Sequence, residues 1–274
     1  MVEEAERLLL ENGIRWREVR LAPPGTQHRL YRVYTEDGKS WVLKVAKTGE
    51  DFGDVFEPAR KHLSGMHSEI EAVQRARNIR VPKPIQLLSE EPPAALMPFL
   101  PGEPAQTLWE RGRLDEDGLR QVCFAMGRGL AGVHSVRRPP DDSSVPDLPG
   151  CDRGSARLLH MDYHLGNVQL VRDRRRGGYE VSGVVDWVLC RWGPREADFV
   201  EMSISVFRQI PGSRGAFMGG YRSGGGVPLN PELESRYIAR ELERRLDAGV
   251  EDRKVAAKWM AWLTELRGNG ERLY

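Results

Sequence analysis

The sequence predicts an α+β chain of two unequal lobes, a small antiparallel sheet with one helix followed by a mainly helical half. Three observations carry that prediction. Between residues 14 and 97, short stretches alternate apolar and polar side chains, with one helical period among them. Residues 99–104 read Phe-Leu-Pro-Gly-Glu-Pro, a compact Pro/Gly crossing. Beyond it, apolar residues recur at helical spacing, interrupted by a single hairpin pattern. The expected lobes are residues 1–98 and 99–274, hinged at about 97–104.

Element by element, residues 3–11 form a short amphipathic helix stopped at Asn12-Gly13. Strands are expected over 14–21, 30–35 and 41–46, the last two joined by the turn Glu36-Asp37-Gly38-Lys39. A helix over 54–76 stops before Val81-Pro82-Lys83-Pro84, and strands over 85–88 and 94–97 complete the sheet. After the crossing, Leu119, Val122, Cys123, Met126, Leu130 and Val133 mark a helix over 116–135. A Pro/Asp/Ser-rich linker spans 137–150. Residues 168–171 and 179–186 flank the basic tip 172–178, expected to be a solvated turn, and helices are expected over 196–210, 231–248 and 252–266. Ser223-Gly224-Gly225-Gly226 is expected to be a loop, and the chain has no internal repeat.

Composition narrows the function. The 41 basic and 40 acidic side chains nearly cancel, which argues against nucleic acid or an anionic membrane as partner and for a small molecule. The acidic start and the short Leu8-Leu9-Leu10 run do not resemble a secretion signal, and no run approaches a membrane span, so the expected location is the cytoplasm. Cys123, Cys151 and Cys190 are scattered, without a Cys-x-x-Cys, and are expected to be free thiols.

The chemistry is concentrated in two clusters. His160-Met161-Asp162-Tyr163-His164-Leu165-Gly166-Asn167 sets an Asp five residues before an Asn, and Val184-Val185-Asp186-Trp187 carries a second Asp in an apolar strand. Mg²⁺-assisted phosphoryl transfer calls for these groups: one carboxylate to take the proton of an attacking hydroxyl, and hard oxygen ligands for a metal on the phosphates. An unpartnered carboxylate among Val184, Val185 and Trp187 would be costly, and a divalent ion would remove that cost.

These clusters resemble those of the aminoglycoside phosphotransferase and choline kinase family, small-molecule kinases with a protein-kinase-like fold. The resemblance implies that Asp162 is the catalytic base, that Asn167 and Asp186 hold Mg²⁺, and that His160 and His164 shape the loop. Met161 and Tyr163 stand where relatives usually carry Gly and Leu. The similarity extends along the chain. Lys44, in the otherwise apolar strand Trp41-Val42-Leu43-Lys44-Val45, fits the lysine that meets the nucleotide phosphates. Ser68-Glu69-Ile70-Glu71 resembles the segment that supplies its ion-pair partner, with Glu69 preferred and Glu71 in reserve.

A Gly-x-Gly-x-x-Gly loop and a Walker A motif are both missing from the sequence. Gly25 and Thr26 are placed by position alone where a loop would cover the phosphates. Leu96-Met97-Pro98-Phe99-Leu100-Pro101-Gly102 resembles the family's adenine-binding hinge, which implies that Met97 lines the adenine site, the Pro98 carbonyl accepts from the base and the Leu100 N–H donates to it. Asp198, in Trp192-Gly193-Pro194-Arg195-Glu196-Ala197-Asp198-Phe199, is expected to cap a helix and brace the catalytic loop.

The expected reaction moves the γ-phosphoryl group of ATP, with Mg²⁺, to a hydroxyl of a small molecule: an aminoglycoside-like antibiotic, a choline-like amine, an amino acid or a sugar. Glu196, Asp198, Glu201, Glu232, Glu234 and Glu241 are candidates to meet a cationic amino sugar. Trp187, Trp192, Trp259 and Trp262 are candidates to stack on a sugar or enclose a quaternary amine. The alternative is a nucleotide-binding pseudokinase that regulates a partner, disfavoured because Lys44, Asp162, Asn167 and Asp186 are all present. A protein kinase is disfavoured by the absence of Asp-Phe-Gly and Ala-Pro-Glu.

Overall fold

The computed structural model describes residues 2–23, 28–47, 59–143, 145–149, 151–173, 178–249 and 252–270. Gly25 and Thr26, the start of the helix expected over 54–76, and residues 174–177 of the basic tip lie outside the described residues.

Helix α1 (Val2–Glu11) turns Ala5, Leu8 and Leu9 onto a sheet and is followed by Gly13 at φ +67°. The strands are β1 (Trp16–Leu21), β2 (His28–Thr35), β3 (Ser40–Ala46), β4 (Gln86–Glu90) and β5 (Pro93–Pro98), all antiparallel in the order β1-β2-β3-β5-β4. Period-two alternation divides each strand between two faces. Tyr31, Val33, Leu43, Val45, Ala94 and Leu96 pack with α1, while Leu30, Val42, Lys44 and Met97 face the interlobe cleft. The β2–β3 turn places Gly38 at φ +79° and closes with the Thr35 N–H donating to Lys39 O at 3.0 Å.

Helix α2 (Ala59–Arg75) carries Met66 and Glu69 inward. Its last turn and Val81 enter the large apolar core of the second lobe. The crossing between lobes requires a glycine: Gly102 has φ +117°, and a Cβ there would lie 2.4 Å from Leu170 O. The crossing then forms a two-residue strand, β6 (Glu103–Pro104), and a short helix, α3 (Ala105–Glu110), neither evident in the sequence pattern.

Helix α4 (Glu116–His134) runs through the second core, its start capped by the Asp115 carboxylate accepting from the Gly118 N–H. Strands β7 (Arg157–Leu159) and β10 (Arg191–Gly193) form one ladder, and β8 (Val168–Arg172) pairs with both β6 and β9 (Tyr179–Val184). The continuous helix expected over 196–210 is instead a 3₁₀ turn (Arg195–Phe199), a short α5 (Val200–Met202) and a π segment (Ser203–Phe207). β-Branched Val200, Ile204 and Val206 weaken a regular helix, and the Ser205 hydroxyl donates back to Glu201 O at 2.6 Å.

Helix α6 (Ser213–Ser223) was hidden by its glycines, which serve packing. A Cβ on Gly127 of α4 would fall 2.0 Å from Phe217 O, and one on Gly220 of α6 would fall 1.9 Å from Phe124 O. The two backbones therefore touch. Helix α7 (Pro231–Asp247) starts with the Asn230 side chain accepting from Glu232 and Leu233 N–H groups, with Pro231 at its first position. Helix α8 (Arg253–Gly270) packs on it through Ile238, Leu242 and Leu263. Cys123, Cys151 and Cys190 are free, and burial pushes the Cys123 and Cys190 thiols up to about 12. No helix among the described residues is long and apolar enough to cross a membrane.

Candidate active site

A cleft of about 540 Å³ separates the sheet from the second lobe. One end is apolar, with Leu30, Val42, Pro82, Met97 and Leu100; the other holds His28, Lys44, Glu69, Asp162, Asn167 and Asp186. Strand register explains the first group. Leu30 is opposite Lys44 and Val42 is opposite Met97, so all four project from the same face.

Lys44 is almost wholly buried. Its Nζ donates to Glu69 Oε2 at 3.1 Å and to Asp186 Oδ1 at 2.6 Å. Burial works against the ammonium, but the Asp186 and Glu69 carboxylates outweigh it and hold the lysine above its ordinary pKa. Burial likewise opposes the Asp186 charge, and Lys44 overcomes this to hold that carboxyl below the usual range. Glu69 also accepts from the Trp187 N–H at 3.0 Å, so one carboxylate of α2 ties β3 to the segment after β9. Glu71, the reserve partner, faces away and binds Arg75 at 2.6 Å.

The β8–β9 hairpin brings the two sequence clusters together. Val168 pairs with Val184, and the Val185 N–H donates to Asn167 O at 3.0 Å, so Asn167 and Asp186 leave the same end of one hairpin. Asp186 is not inside a strand, as the sequence suggested. It lies two residues past β9 at φ +65°, its side chain 38% exposed toward the cleft, and Lys44 offsets its charge. Asn167 Nδ2 donates to Asp162 O at 3.0 Å and to Asp162 Oδ2 at 2.9 Å, which leaves its Oδ1 for another partner. His164 Nε2 lies 3.5 Å from Asp162 Oδ1; burial opposes the imidazolium, but Asp162 raises its pKa above the ordinary value.

The loop is held from beneath. His160 Nε2–H donates to Val185 O at 2.9 Å, its Nδ1 accepts from the Asp162 N–H, and its ring meets Trp187 edge-on at 4.6 Å. Asp198 does not cap a helix; its buried carboxylate accepts from the His160 N–H, the Met161 N–H and His134 Nε2 at 2.8, 2.5 and 3.0 Å. Met161 has φ +66°, a conformation glycine adopts without strain, and the Asp198 carboxylate holds it in place.

At the crossing, the Phe99 N–H donates to Ser40 O at 3.0 Å. In extended backbone successive groups alternate sides, so the Pro98 carbonyl and Leu100 N–H point away from β3, and Met97, Pro98 and Leu100 all line the cleft. Sequence reasoning placed His28 at the end of the segment 23–28 where a phosphate-covering loop would run but gave it no role at the charged end. The available signal was a histidine two residues along β2 from the partner of Lys44. It also missed α3, whose Gln106 and Glu110 line the cleft and hydrogen-bond to each other at 2.7 Å.

The acidic candidates on the second lobe are largely spent. Glu234 forms a two-pronged pair with Arg214, Glu201 and Glu241 bind Arg245, Glu196 accepts from the Asn230 N–H, and Asp198 serves the loop. The tryptophans form no open cage. Trp187 and Trp192 are fully buried, while Arg245 and Arg208 lie over the rings of Trp259 and Trp262.

The family model of the phosphotransferase enzyme family matches residues 18–149 and 145–229. No curated protein matches the sequence by direct comparison. Among solved structures, the macrolide 2'-phosphotransferase MphH from Brachybacterium faecium is similar over 95% of this chain and 98% of its own, at 16% identity and a TM-score of 0.59. The GDP complex of aminoglycoside 2'-phosphotransferase-IIIa is similar over 98% and 99%, at 13% identity and a TM-score of 0.62. The streptomycin–ATP ternary complex of APH(2")-IIa covers 97% and 96%, at 12% identity and a TM-score of 0.56. At such identities the structures speak for the fold; the family model speaks for the chemistry. Both agree with the resemblance carried by the two motif clusters, and this chain belongs to the phosphotransferase enzyme family as a small-molecule kinase with a two-lobed, protein-kinase-like fold.

Proposed function

We propose that the chain transfers the γ-phosphoryl group of ATP, with Mg²⁺, to a hydroxyl of a small molecule. The observation that carries this reading is the polarity of the cleft, where Lys44, Asp186, Asn167 and Asp162 converge at one end of an apolar slot. The slot takes the adenine beside Met97, with the Pro98 carbonyl and Leu100 N–H as its hydrogen-bonding partners. Lys44, held by Glu69, meets the phosphates; Gly25 and Thr26 remain candidates by sequence position alone, outside the described residues. The boundary between lobes falls at about residue 98.

Asn167 and Asp186 suit Mg²⁺. They offer one amide oxygen and one carboxylate, hard donors of the number that Mg²⁺ takes from a protein when phosphates complete its shell. The chemistry it supplies when bound is neutralisation of the charge on the transferring group. Asp162 orients the acceptor hydroxyl and takes its proton late in the transfer. Asn167 Nδ2 and His164 hold both its oxygens in place for that task.

The acceptor is a hydroxyl compound of low positive charge, not a polycation. Of the second-lobe candidates, Glu201, Glu234 and Glu241 are bound by arginines and Glu196 and Asp198 by backbone N–H groups, exposed Glu232 is not among the residues lining the cleft, and Glu110 is the exposed acid that lines it. The cytoplasm is the compartment where ATP and such acceptors meet. Thermal shift with MgATP, then ADP release across neutral, monocationic and polycationic hydroxyl compounds, tests the proposal. Stabilisation by MgATP and turnover with a weakly charged acceptor are expected. A chain that binds no MgATP, or one that phosphorylates polycations preferentially, contradicts it.

A further inference from the structure

Resting on the reading of the cleft as a nucleotide site, we propose that His28 is a further phosphate-positioning residue, its Nε2 donating a hydrogen bond to the nucleotide's phosphate chain beside Lys44. His28 is only 5% exposed, yet its Nε2 has no hydrogen-bond partner among the described residues. A buried polar atom without a partner is rare and costs folding free energy, so it needs a reason. The fold provides one. Register puts His28 opposite Ala46 and Leu30 opposite Lys44, so period two points His28 to the cleft face, one step along the strand from Lys44.

There the ring lines the charged end of the cleft, with Lys44 and Asp186 near enough to act on it electrostatically. His62, two helical turns before Glu69 on α2, meets the His28 ring edge-on with centroids 5.3 Å apart. The pair therefore repeats the Lys44–Glu69 arrangement one step outward: a strand residue aimed at the cleft and a helix residue fixing it. His28 differs in keeping its donor uncommitted. A group that meets both the Lys44 ammonium and this imidazole N–H must carry acceptor oxygens, and a phosphate chain does.

The test compares MgATP, MgADP and adenosine as probes on the parent, His28→Phe and His28→Gln, with the melting temperature of each as a control for folding. The Gln amide nitrogen reaches close to the position of Nε2, whereas Phe keeps the ring and removes the donor. His28→Phe is expected to weaken both phosphorylated ligands by roughly ten- to a hundredfold, the range of a lost hydrogen bond to a charged group, and to leave adenosine unchanged. His28→Gln is expected to restore much of the loss. Parental MgATP affinity in His28→Phe overturns the proposal, as does an equal loss for adenosine, which would mark a packing role. A parent chain that binds no MgATP removes the nucleotide reading itself, a result distinct from either.

Discussion

Met161 shows how a single residue in the catalytic loop is held in an unfavourable state. At φ +66° its Cβ is strained by roughly 1–2 kcal/mol, and the Asp198 carboxylate offsets that strain by gripping the N–H groups of residues 160 and 161. Met161→Gly is therefore expected to raise stability by up to about 1 kcal/mol, strain relief exceeding the extra entropy of glycine in the unfolded chain. Denaturant unfolding measures it, and a fall in the midpoint would mean that the Met161 side chain contributes more than its backbone costs. At this scale the sequence was legible where chemistry constrains residue type. Lys44, Glu69, Asp162, Asn167 and Asp186 were all named from their motifs and the family resemblance those motifs carry, and the structure brings the five together in the cleft. His28 was not legible, because a lone histidine in a strand carries no sign of its missing partner.

At the scale of elements, the sheet was readable because period two and turn residues act locally, and the β2–β3 turn formed where Gly38 predicted it. The second lobe was harder. Helix α6 was not among the expected elements, because three glycines lower its intrinsic propensity, yet Gly220 and Gly127 let α4 and α6 approach to backbone contact, a tertiary reason invisible to any local pattern. Gly220→Ala should destabilise the fold by about 1–3 kcal/mol, the usual penalty of overpacking, although alanine is the better helix former. A gain in melting temperature would show that the α4–α6 contact yields easily. The segment after Pro194 failed as a continuous helix for a related reason: Asp198 serves the catalytic loop, and the backbone there follows that duty rather than helical propensity.

At the scale of the molecule, α2 links the lobes. Glu69 holds Lys44 of the sheet and the Trp187 N–H of the second lobe, while Ala72, Val73 and Ala76 enter the lower core. The charged end of the cleft is thus built from both lobes through one helix. The proposed Mg²⁺ site depends on it, so Asp186→Ala should abolish the Mg²⁺-dependent part of ATP binding while leaving adenosine binding intact. Calorimetry with and without Mg²⁺ reads this directly, and equal MgATP affinity in variant and parent would count against Asp186 as a ligand. Acceptor identity was the least legible property, because side chains that look available in a list of acids are committed to arginines once the chain folds.

The central claim, that this cleft performs phosphoryl transfer through Asp162, is met most directly by single-turnover kinetics of Asp162→Asn with MgATP and an acceptor found by the ADP-release screen. Asparagine keeps the size of Asp162 but not its basicity. The account predicts MgATP affinity within a few-fold of the parent and transfer slowed by roughly 10²–10⁴, the contribution of a lost acid–base group. Transfer at the parental rate by Asp162→Asn would contradict it.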